Sequence, residues 1–200
     1  MNELSTLEKI EVFTGPLGPL TDFEDYCREK EKWLRTISTK EIDELISYIK
    51  HPLQLPNWKK MDQTSLDDCR REVASLLGWA AEYQTGQYIQ TELIQLLKEP
   101  ATREFAITGI GEMEDPLLIT SISPYTKDTN HNVALGIIFA IGLFEELGAD
   151  LAICRKLMME IYEHWQSKTP PGFFSNHKKK KLHQRIIERS KYWLLENKLL

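Results

Sequence analysis

The 200-residue chain is poor in cysteine and lacks any long hydrophobic run. Its three cysteines are widely spaced, and none has a second cysteine or a histidine at the spacing that a zinc knuckle or a redox pair requires. The longest mainly apolar run, Val133 to Leu143, is about half of the roughly 20 residues that a membrane-spanning helix needs. The first residues have neither the basic start nor the apolar centre of a secretory signal. We therefore expect a cytoplasmic protein with buried cysteines, no transmembrane helix and no membrane partner.

The sequence also lacks the short motifs that identify common active sites. It contains no His-Glu-x-x-His, no Gly-x-Ser-x-Gly, no Gly-x-x-x-x-Gly-Lys and no Gly-x-Gly-x-x-Gly after a strand. Glu160 lies four residues before His164, which is not the Glu-x-x-His spacing of helical di-metal sites. The five histidines are scattered along the chain and have no recognisable partners. We expect a protein that is not an enzyme, with no catalytic residues, no metal and no cofactor.

Sustained strand alternation is absent, whereas apolar residues recur at helical spacing through most of the chain. Thr39, for example, begins a segment in which Glu41 is followed by an apolar stripe that ends at Ile49. The sequence therefore predicts an all-α protein. Helices are predicted over residues 22–35, 39–49, 65–83, 87–98, 102–112, 116–122, 131–147, 150–166 and 179–196.

Prolines and glycines mark the places where helices cannot continue. Residues 51–57 contain two prolines and form a connection after the first helical pair. Residues 1–20 contain two glycines and two prolines, and we expect an arm that is extended or packed along the surface. The predicted organisation is an N-terminal arm and helical pair over residues 1–57, followed by a helical core over residues 58–200 that ends in a basic helix, all in one compact unit.

Three apolar hexamers that end in glycine recur at offsets of 33 and 31 residues. They span residues 73–78, 106–111 and 137–142, and each is followed by an acidic turn and a second apolar stretch. Small residues at matching positions let neighbouring helices approach closely, and a helix pair with little core of its own must bury its face against the next pair. The pattern indicates a helix, a turn and a helix, repeated three times.

The central half of the chain, from about residue 65 to 165, resembles the HEAT-like helical repeats. The resemblance is carried by the ends of the small-residue first helices and by the turns between helices, at Gly78, Gly111, Gly142, Asp115-Pro116 and Gly148-Ala149-Asp150. It implies an α-α superhelix of stacked helical hairpins. The repeat periods are shorter than a usual HEAT unit, and Ser123-Pro124-Tyr125 interrupts the middle repeat. An irregular multi-helix bundle therefore stays open as the alternative.

Charge is distributed unevenly along the chain, whose net charge is -5. Residues 1–165 hold 16 Lys and Arg against 28 Asp and Glu, whereas residues 166–200 hold 9 against 2. An acidic body repels nucleic-acid phosphates and attracts basic partners, so we expect nucleic acid not to be the partner. The basic tail is either the solvated face of an amphipathic helix or a candidate anion-binding site. Its consecutive lysines are Lys178, Lys179, Lys180 and Lys181.

Acidic residues gather at the turns of the predicted repeats. Between Glu104 and Asp150 the sequence has eight acids and one base, Lys127. Asp115 and Asp150 also suit helix N-caps, whereas the helix dipole opposes acids at helix C-termini. If the repeats stack, their turns form one edge, and we predict that this acidic edge and a neighbouring tryptophan bind a basic protein. The predicted partner-binding residues are Trp79, Glu82, Glu112, Glu114, Asp115, Glu145, Glu146 and Asp150.

A small, acidic, helical protein of this kind resembles the immunity proteins that bacteria make against their own secreted toxins. That resemblance implies a protein that binds and occludes a basic toxin domain, such as a nuclease, with no catalysis of its own. An adaptor of a cellular complex is the alternative. A nucleic-acid enzyme resembling the helical-repeat DNA glycosylases is a third hypothesis. That resemblance implies a basic concave face, so the acidic central block of this sequence disfavours it.

Overall fold

A computed structural model of the protein describes residues 4–14, 23–55, 61–83, 85–168 and 177–197. The prediction of an all-α protein is confirmed, since the described residues form helices and no strand. The chain divides into two compact units, residues 1–113 and residues 114–200. The connection predicted over residues 51–57 lies inside the first unit, and its residues 56 and 57 lie outside the described ranges.

The helices of the first unit are α1 to α6, and those of the second are α7 to α10. Two 3₁₀ turns, Pro116–Leu118 and Ser123–Tyr125, flank the short α7. The helix bounds are α1 Thr6–Thr14, α2 Phe23–Arg35, α3 Thr39–Lys50, α4 Gln63–Ala80, α5 Gly86–Lys98, α6 Arg103–Glu112, α7 Ile119–Ile122, α8 His131–Glu146, α9 Leu151–Ser167 and α10 His177–Glu196.

The N-terminal segment differs from the expected arm, because Thr6–Thr14 forms α1. Ser5 and Glu8 cap this helix reciprocally: the Ser5 backbone N–H donates to Glu8 Oε2 at 2.8 Å, and the Glu8 backbone N–H donates to Ser5 Oγ at 3.3 Å. Ile10 and Phe13 are buried, and the Phe13 ring stacks on Trp33 with 5.3 Å between ring centroids. The helix is thus a packed part of the first unit. The glycines and prolines of residues 15–20 lie outside the described residues.

Helix α4 lies at the centre of the first unit and packs against α1, α2, α3, α5 and α6. The Asp62 side chain caps its N-terminus by accepting a hydrogen bond of 2.8 Å from the Ser65 backbone N–H. Val73 and Leu77 are fully buried on it. Arg70 is also buried, and it donates to the carbonyl oxygens of Ile49 at 2.7 Å and Ala101 at 3.1 Å. A buried guanidinium thus satisfies carbonyl groups at the ends of other elements.

Helices α4 and α6 approach closely because two glycines lie where they meet. A Cβ atom added at Gly78 would lie 2.4 Å from the Gly109 carbonyl oxygen, and one added at Gly109 would lie 2.8 Å from the Ala74 carbonyl oxygen. Both glycines belong to the first two hexamers of the repeat pattern. The expectation that small residues allow close helix packing therefore holds for this pair. The glycine that ends the third hexamer, Gly142, has no atom within 4 Å of its Cβ position apart from its own surroundings in the helix.

The second unit is built around α8, α9 and α10, which pack against one another. Ile137, Ile141 and Phe144 of α8 are fully buried, as are Ile186 and Leu194 of α10. None of the helices that the described residues form is long and apolar enough to span a bilayer. The buried residues in the apolar run of α8 pack against α9 and α10, whereas Phe139 is exposed.

The cysteines largely follow expectation. Cys69 and Cys154 are buried and Cys27 is half-buried, all as free thiols. Burial raises the pKa of the Cys69 and Cys154 thiols, because desolvation disfavours the thiolate. These two side chains behave as small apolar groups.

An ion pair joins α1 to α3. Lys9 Nζ donates to Glu41 Oε1 at 2.6 Å, with the two side chains only 10% and 18% exposed, and Trp33 Nε1 donates to the same oxygen at 3.0 Å. The other carboxylate oxygen accepts from the backbone N–H of Ser38, the N-cap of α3, at 2.9 Å. Partial burial acts to raise the pKa of Glu41, but the hydrogen bonds from Lys9, Ser38 and Trp33 outweigh it and lower the pKa to about 2.

We predict opposite effects of alanine at two helical glycines. Gly78→Ala lowers the free energy of unfolding by about 1 to 3 kcal/mol, because its Cβ collides with the backbone of α6. Gly142→Ala is the matched control and raises it by about 0.5 to 1 kcal/mol, because alanine favours a helix and meets open space. Urea denaturation followed by circular dichroism measures both. Equal effects of the two substitutions would contradict the close approach of α4 and α6.

We also predict that Glu41 makes stability depend on pH in the acidic range. Its pKa is lower in the folded chain, so its contribution is present above the unfolded pKa of about 4.5 and is lost as pH falls toward 2. Glu41→Gln destabilises the protein at neutral pH by about 1.5 to 3 kcal/mol, the usual range for hydrogen bonds to charged groups. The difference from wild type disappears near pH 2.

The control for Glu41 is Glu44→Gln, which removes the exposed pair between Lys40 and Glu44 on the same helix. Exposed pairs contribute roughly 0 to 1 kcal/mol, so this variant follows wild type at every pH. Urea denaturation across the acidic range measures all three chains. A Glu41→Gln deficit that persists unchanged to the lowest pH would show that packing, rather than the carboxylate charge, is responsible.

Candidate protein-binding site

The predicted partner-binding residues divide between the two units. Trp79, Glu82 and Glu112 belong to the first unit. The second unit contains Glu114, Asp115, Glu145, Glu146 and Asp150.

In the first unit, Trp79 and Glu112 lie together. Trp79 Nε1 donates to Glu112 Oε2 at 2.9 Å, which joins α4 to α6 across 33 residues of sequence. Lys30 Nζ of α2 lies 4.1 Å from the centroid of the Trp79 ring, a cation–π contact. Trp79 is half-buried by these neighbours, while Glu82 is exposed beyond the end of α4. The indole and one carboxylate thus already serve an internal contact between helices.

In the second unit, two of the predicted acids act as caps. Asp115 accepts from the Leu117 backbone N–H at 3.0 Å and begins the first 3₁₀ turn, and Asp150 accepts from the Ala152 backbone N–H at 2.8 Å and begins α9. Glu145 and Glu146 lie in the last turn of α8, where the helix dipole opposes their charge. Neither forms an ion pair with another described residue. Helix stability therefore does not account for these two acids.

An apolar groove lies between α8 and α10 on the second unit. Its volume is about 560 Å³, and it is open to solvent. Phe139 of α8 and Tyr192 of α10 line it while remaining 51% and 62% exposed. Gly142 also lines the groove, and because it has no side chain it leaves space between these two residues. We call this feature the α8–α10 groove, and its other apolar lining residues are Ile138, Leu143 and Trp193.

The charged residues around the α8–α10 groove are mainly acidic. Glu146, Glu188 and Glu196 line it together with a single cation, Arg189. Glu188 accepts a hydrogen bond of 2.9 Å from Gln184 Nε2. The hydrogen bond to Glu196 raises the pKa of Tyr192, so the phenol stays protonated at neutral pH. No ion pair joins any of these three carboxylates to another described residue. An apolar floor is thus combined with carboxylates that form no ion pair within the described part of the chain.

Glu146 is among the residues predicted from the sequence, whereas the groove around it is not. The available signal was the apolar character of α8 on more than one face. Phe139, Gly142 and Leu143 lie on a different face from Ile137 and Ile141, which are buried. A helix that is apolar on all faces is ordinarily buried on all faces, so the exposed apolar face of α8 indicates a candidate binding surface.

The lysines considered as an anion-binding site lie in the first turns of α10. Three of the four side chains are exposed, and Lys180 is half-buried. The positive end of the helix dipole opposes cations at this position. Anion binding by Lys178, Lys179, Lys180 and Lys181 stays a prediction.

Comparison with models of protein families, with curated proteins and with solved structures finds no match to this chain. The resemblances to HEAT-like repeats and to bacterial immunity proteins therefore stay predictions.

Proposed function

We propose that this protein binds a basic protein partner through the α8–α10 groove. The observation that carries the proposal is an exposed apolar groove, with Phe139 and Tyr192 on its two walls, among three carboxylates that form no ion pair with a described residue. Exposed apolar patches bordered by polar residues are typical of protein-interaction sites. The carboxylates favour a partner that combines apolar side chains with lysine and arginine.

In the proposed complex, apolar groups contribute mainly to the binding free energy and acidic groups mainly to the rate of association. Aromatic side chains at the centre of an interface commonly supply most of the binding free energy, because they are fully removed from water in the complex. Charges at the edge act over longer distances and mainly raise the rate of association. Glu145, next to Glu146, adds to the negative potential at one end of the α8–α10 groove.

The partner class that we propose is a basic toxin domain, such as a nuclease. The resemblance to immunity proteins and the excess of acids over bases in residues 1–165 both support it. The protein would act in the cytoplasm by covering the active site of the toxin, without catalysis of its own. An adaptor that uses the same groove for a basic subunit of a cellular complex is the second candidate, supported by the same apolar and acidic lining.

We predict that apolar and charge substitutions in the groove affect binding differently. Phe139→Ser weakens binding to a basic toxin domain at least about tenfold, about 1.4 kcal/mol, because it removes an aromatic anchor. Glu146→Lys combined with Glu188→Lys slows association and reduces its dependence on salt, because the attractive field is reversed. Biolayer interferometry against a set of catalytically inactivated basic bacterial nuclease toxins, at low and at physiological salt, measures both effects.

Matched controls lie in the same unit outside the groove. Leu117→Ser removes an apolar side chain that is even more exposed than Phe139, and Glu163→Lys reverses an exposed charge on α9. Both variants bind as wild type does. Equal losses in controls and groove variants would place the interface elsewhere. Failure of every toxin in the set to bind the wild-type chain would overturn the toxin proposal and favour the adaptor.

A further inference from the structure

Three histidines of the second unit surround one buried tryptophan. His131 begins α8, His164 lies in α9 and His183 lies in α10, although they are far apart in sequence. From the centroid of the Trp165 ring, the ring centroids lie 4.6 Å away for His131, 5.5 Å for His183 and 6.0 Å for His164. The expectation that the histidines are scattered without partners is therefore wrong for these three. We call this group the His–Trp cluster.

The polar atoms of the His–Trp cluster are buried and lack hydrogen-bond partners. Trp165 is 1% exposed and His183 is 4% exposed. The Nε2 atoms of all three histidines and Nε1 of Trp165 are buried, and none has a hydrogen-bond partner in the part of the chain that the structure describes. The described residues also contain no group of His, Cys, Asp or Glu side chains arranged to hold a metal ion. A protonated imidazole in this place would have an N–H donor with no acceptor.

The charges that face the cluster are mostly positive. Lys127 and Asp128 precede α8, Lys168 follows α9, and Lys179 lies on α10. Lys168 Nζ lies 4.3 Å from the centroid of the Trp165 ring. The charge of Asp128 acts on Lys168. On α9, Glu160 accepts a hydrogen bond of 2.9 Å from the Thr126 hydroxyl, and Glu163, next to His164 in sequence, is exposed.

Burial and positive neighbours together keep the three imidazoles neutral. Desolvation lowers the pKa of each histidine, and Lys168 lowers each of them further. For His131 the charge of His183 acts in the same direction, so the protonation of one opposes that of the other. Neutral histidines are therefore part of the packing of α10 against α8 and α9.

We propose that the His–Trp cluster is an acid-sensitive latch: protonation of His131 and His183 at mildly acidic pH frees the first half of α10 from α8 and α9. When this half of α10 is released, the imidazoles reach water and bind protons with an ordinary affinity, near pH 6.5. When α10 is packed, they bind protons only at lower pH. As pH falls, the released form therefore binds protons before the packed form does. The free energy that favours the packed form is constant above about pH 6.5 and decreases as pH falls below that value.

The latch is coupled to the α8–α10 groove because α10 supplies one wall of it, through Tyr192 and Trp193. We expect release of the first half of α10 to weaken the support of that wall and to lower partner binding at acidic pH. This consequence rests on the proposed function. The latch itself is measured on the chain alone, so a failure of the latch and a failure of the partner proposal are distinguishable.

We predict that acid selectively opens the first half of α10. Between about pH 7.5 and about pH 5.5, hydrogen-exchange protection factors, corrected for intrinsic exchange, fall at least about tenfold for its backbone amides, because histidines with lowered pKa take up protons on opening. The amides of α4, which is remote from the cluster in sequence, keep their protection. Mass-spectrometric or NMR exchange on the full chain measures both. Unchanged protection in α10 would overturn the proposal.

Two further measurements separate the histidines from general acid effects. The double variant His131→Phe, His183→Phe removes the titrating groups but keeps ring packing on Trp165, so the loss of α10 protection at acidic pH largely disappears. His51→Phe, at an exposed position of the first unit, is the control and behaves as wild type. A full loss of protection in the double variant would overturn the latch.

Should the double variant fail to fold, the titration of the wild-type histidines decides. NMR chemical shifts of the imidazole carbons are followed against pH, with a short unstructured histidine peptide as the reference. We expect midpoints for His131 and His183 below that of the peptide, because burial lowers the pKa of both imidazoles. Midpoints equal to or above that of the peptide would overturn the proposal.

Discussion

Each amphipathic helix of this protein must bury its apolar face on another helix, because the described chain has neither sheets nor disulfides to assist. In the first unit this requirement is met around α4, where the close approach at Gly78 and Gly109 brings α6 against it. In the second unit α8 has apolar residues on more faces than α9 and α10 cover. Phe139 stays half-exposed, and the α8–α10 groove is the direct result of that excess.

The acidic residues differ in the contacts that they make with the surrounding helices. In the first unit Glu41 and Glu112 accept hydrogen bonds from tryptophan indoles, and Glu41 also pairs with Lys9 across helices. These carboxylates hold elements together. In the second unit Asp115 and Asp150 cap helices, whereas Glu145 and Glu146 do neither and lie where the helix dipole disfavours them. Acids such as Glu145 and Glu146 could therefore bind a partner without breaking a cap or a contact between helices.

Much of the fold could be predicted from sequence, because helix boundaries depend on local signals. The helix expected over residues 39–49 is observed as Thr39–Lys50, and Ser38 and Glu41 form its capping box. Helix α1 carries the same signal in Ser5 and Glu8, yet the glycines and prolines that follow it favoured an arm. Pairings between helices could not be predicted in this way. The hydrogen bond from Trp79 to Glu112 spans 33 residues, and only the packing of α4 on α6 brings the two together.

The apolar faces of α8 were a sequence signal of an uncovered surface, but the helix that borders the α8–α10 groove could not be predicted from sequence. The His–Trp cluster could not be predicted for the same physical reason. Both depend on which faces of α8, α9 and α10 meet, and this choice is made by the sum of many packing contacts. Once made, it gives α10 two unlike halves. The first half presents lysines near its N-terminus and buries His183 among neutral rings, while the second half ends in Tyr192 and Glu196 beside the groove. The first half buries His183 and Ile186 where α10 packs against α8 and α9. A proton on His183 would place a charge among these buried side chains, in the same helix that supplies a wall of the groove.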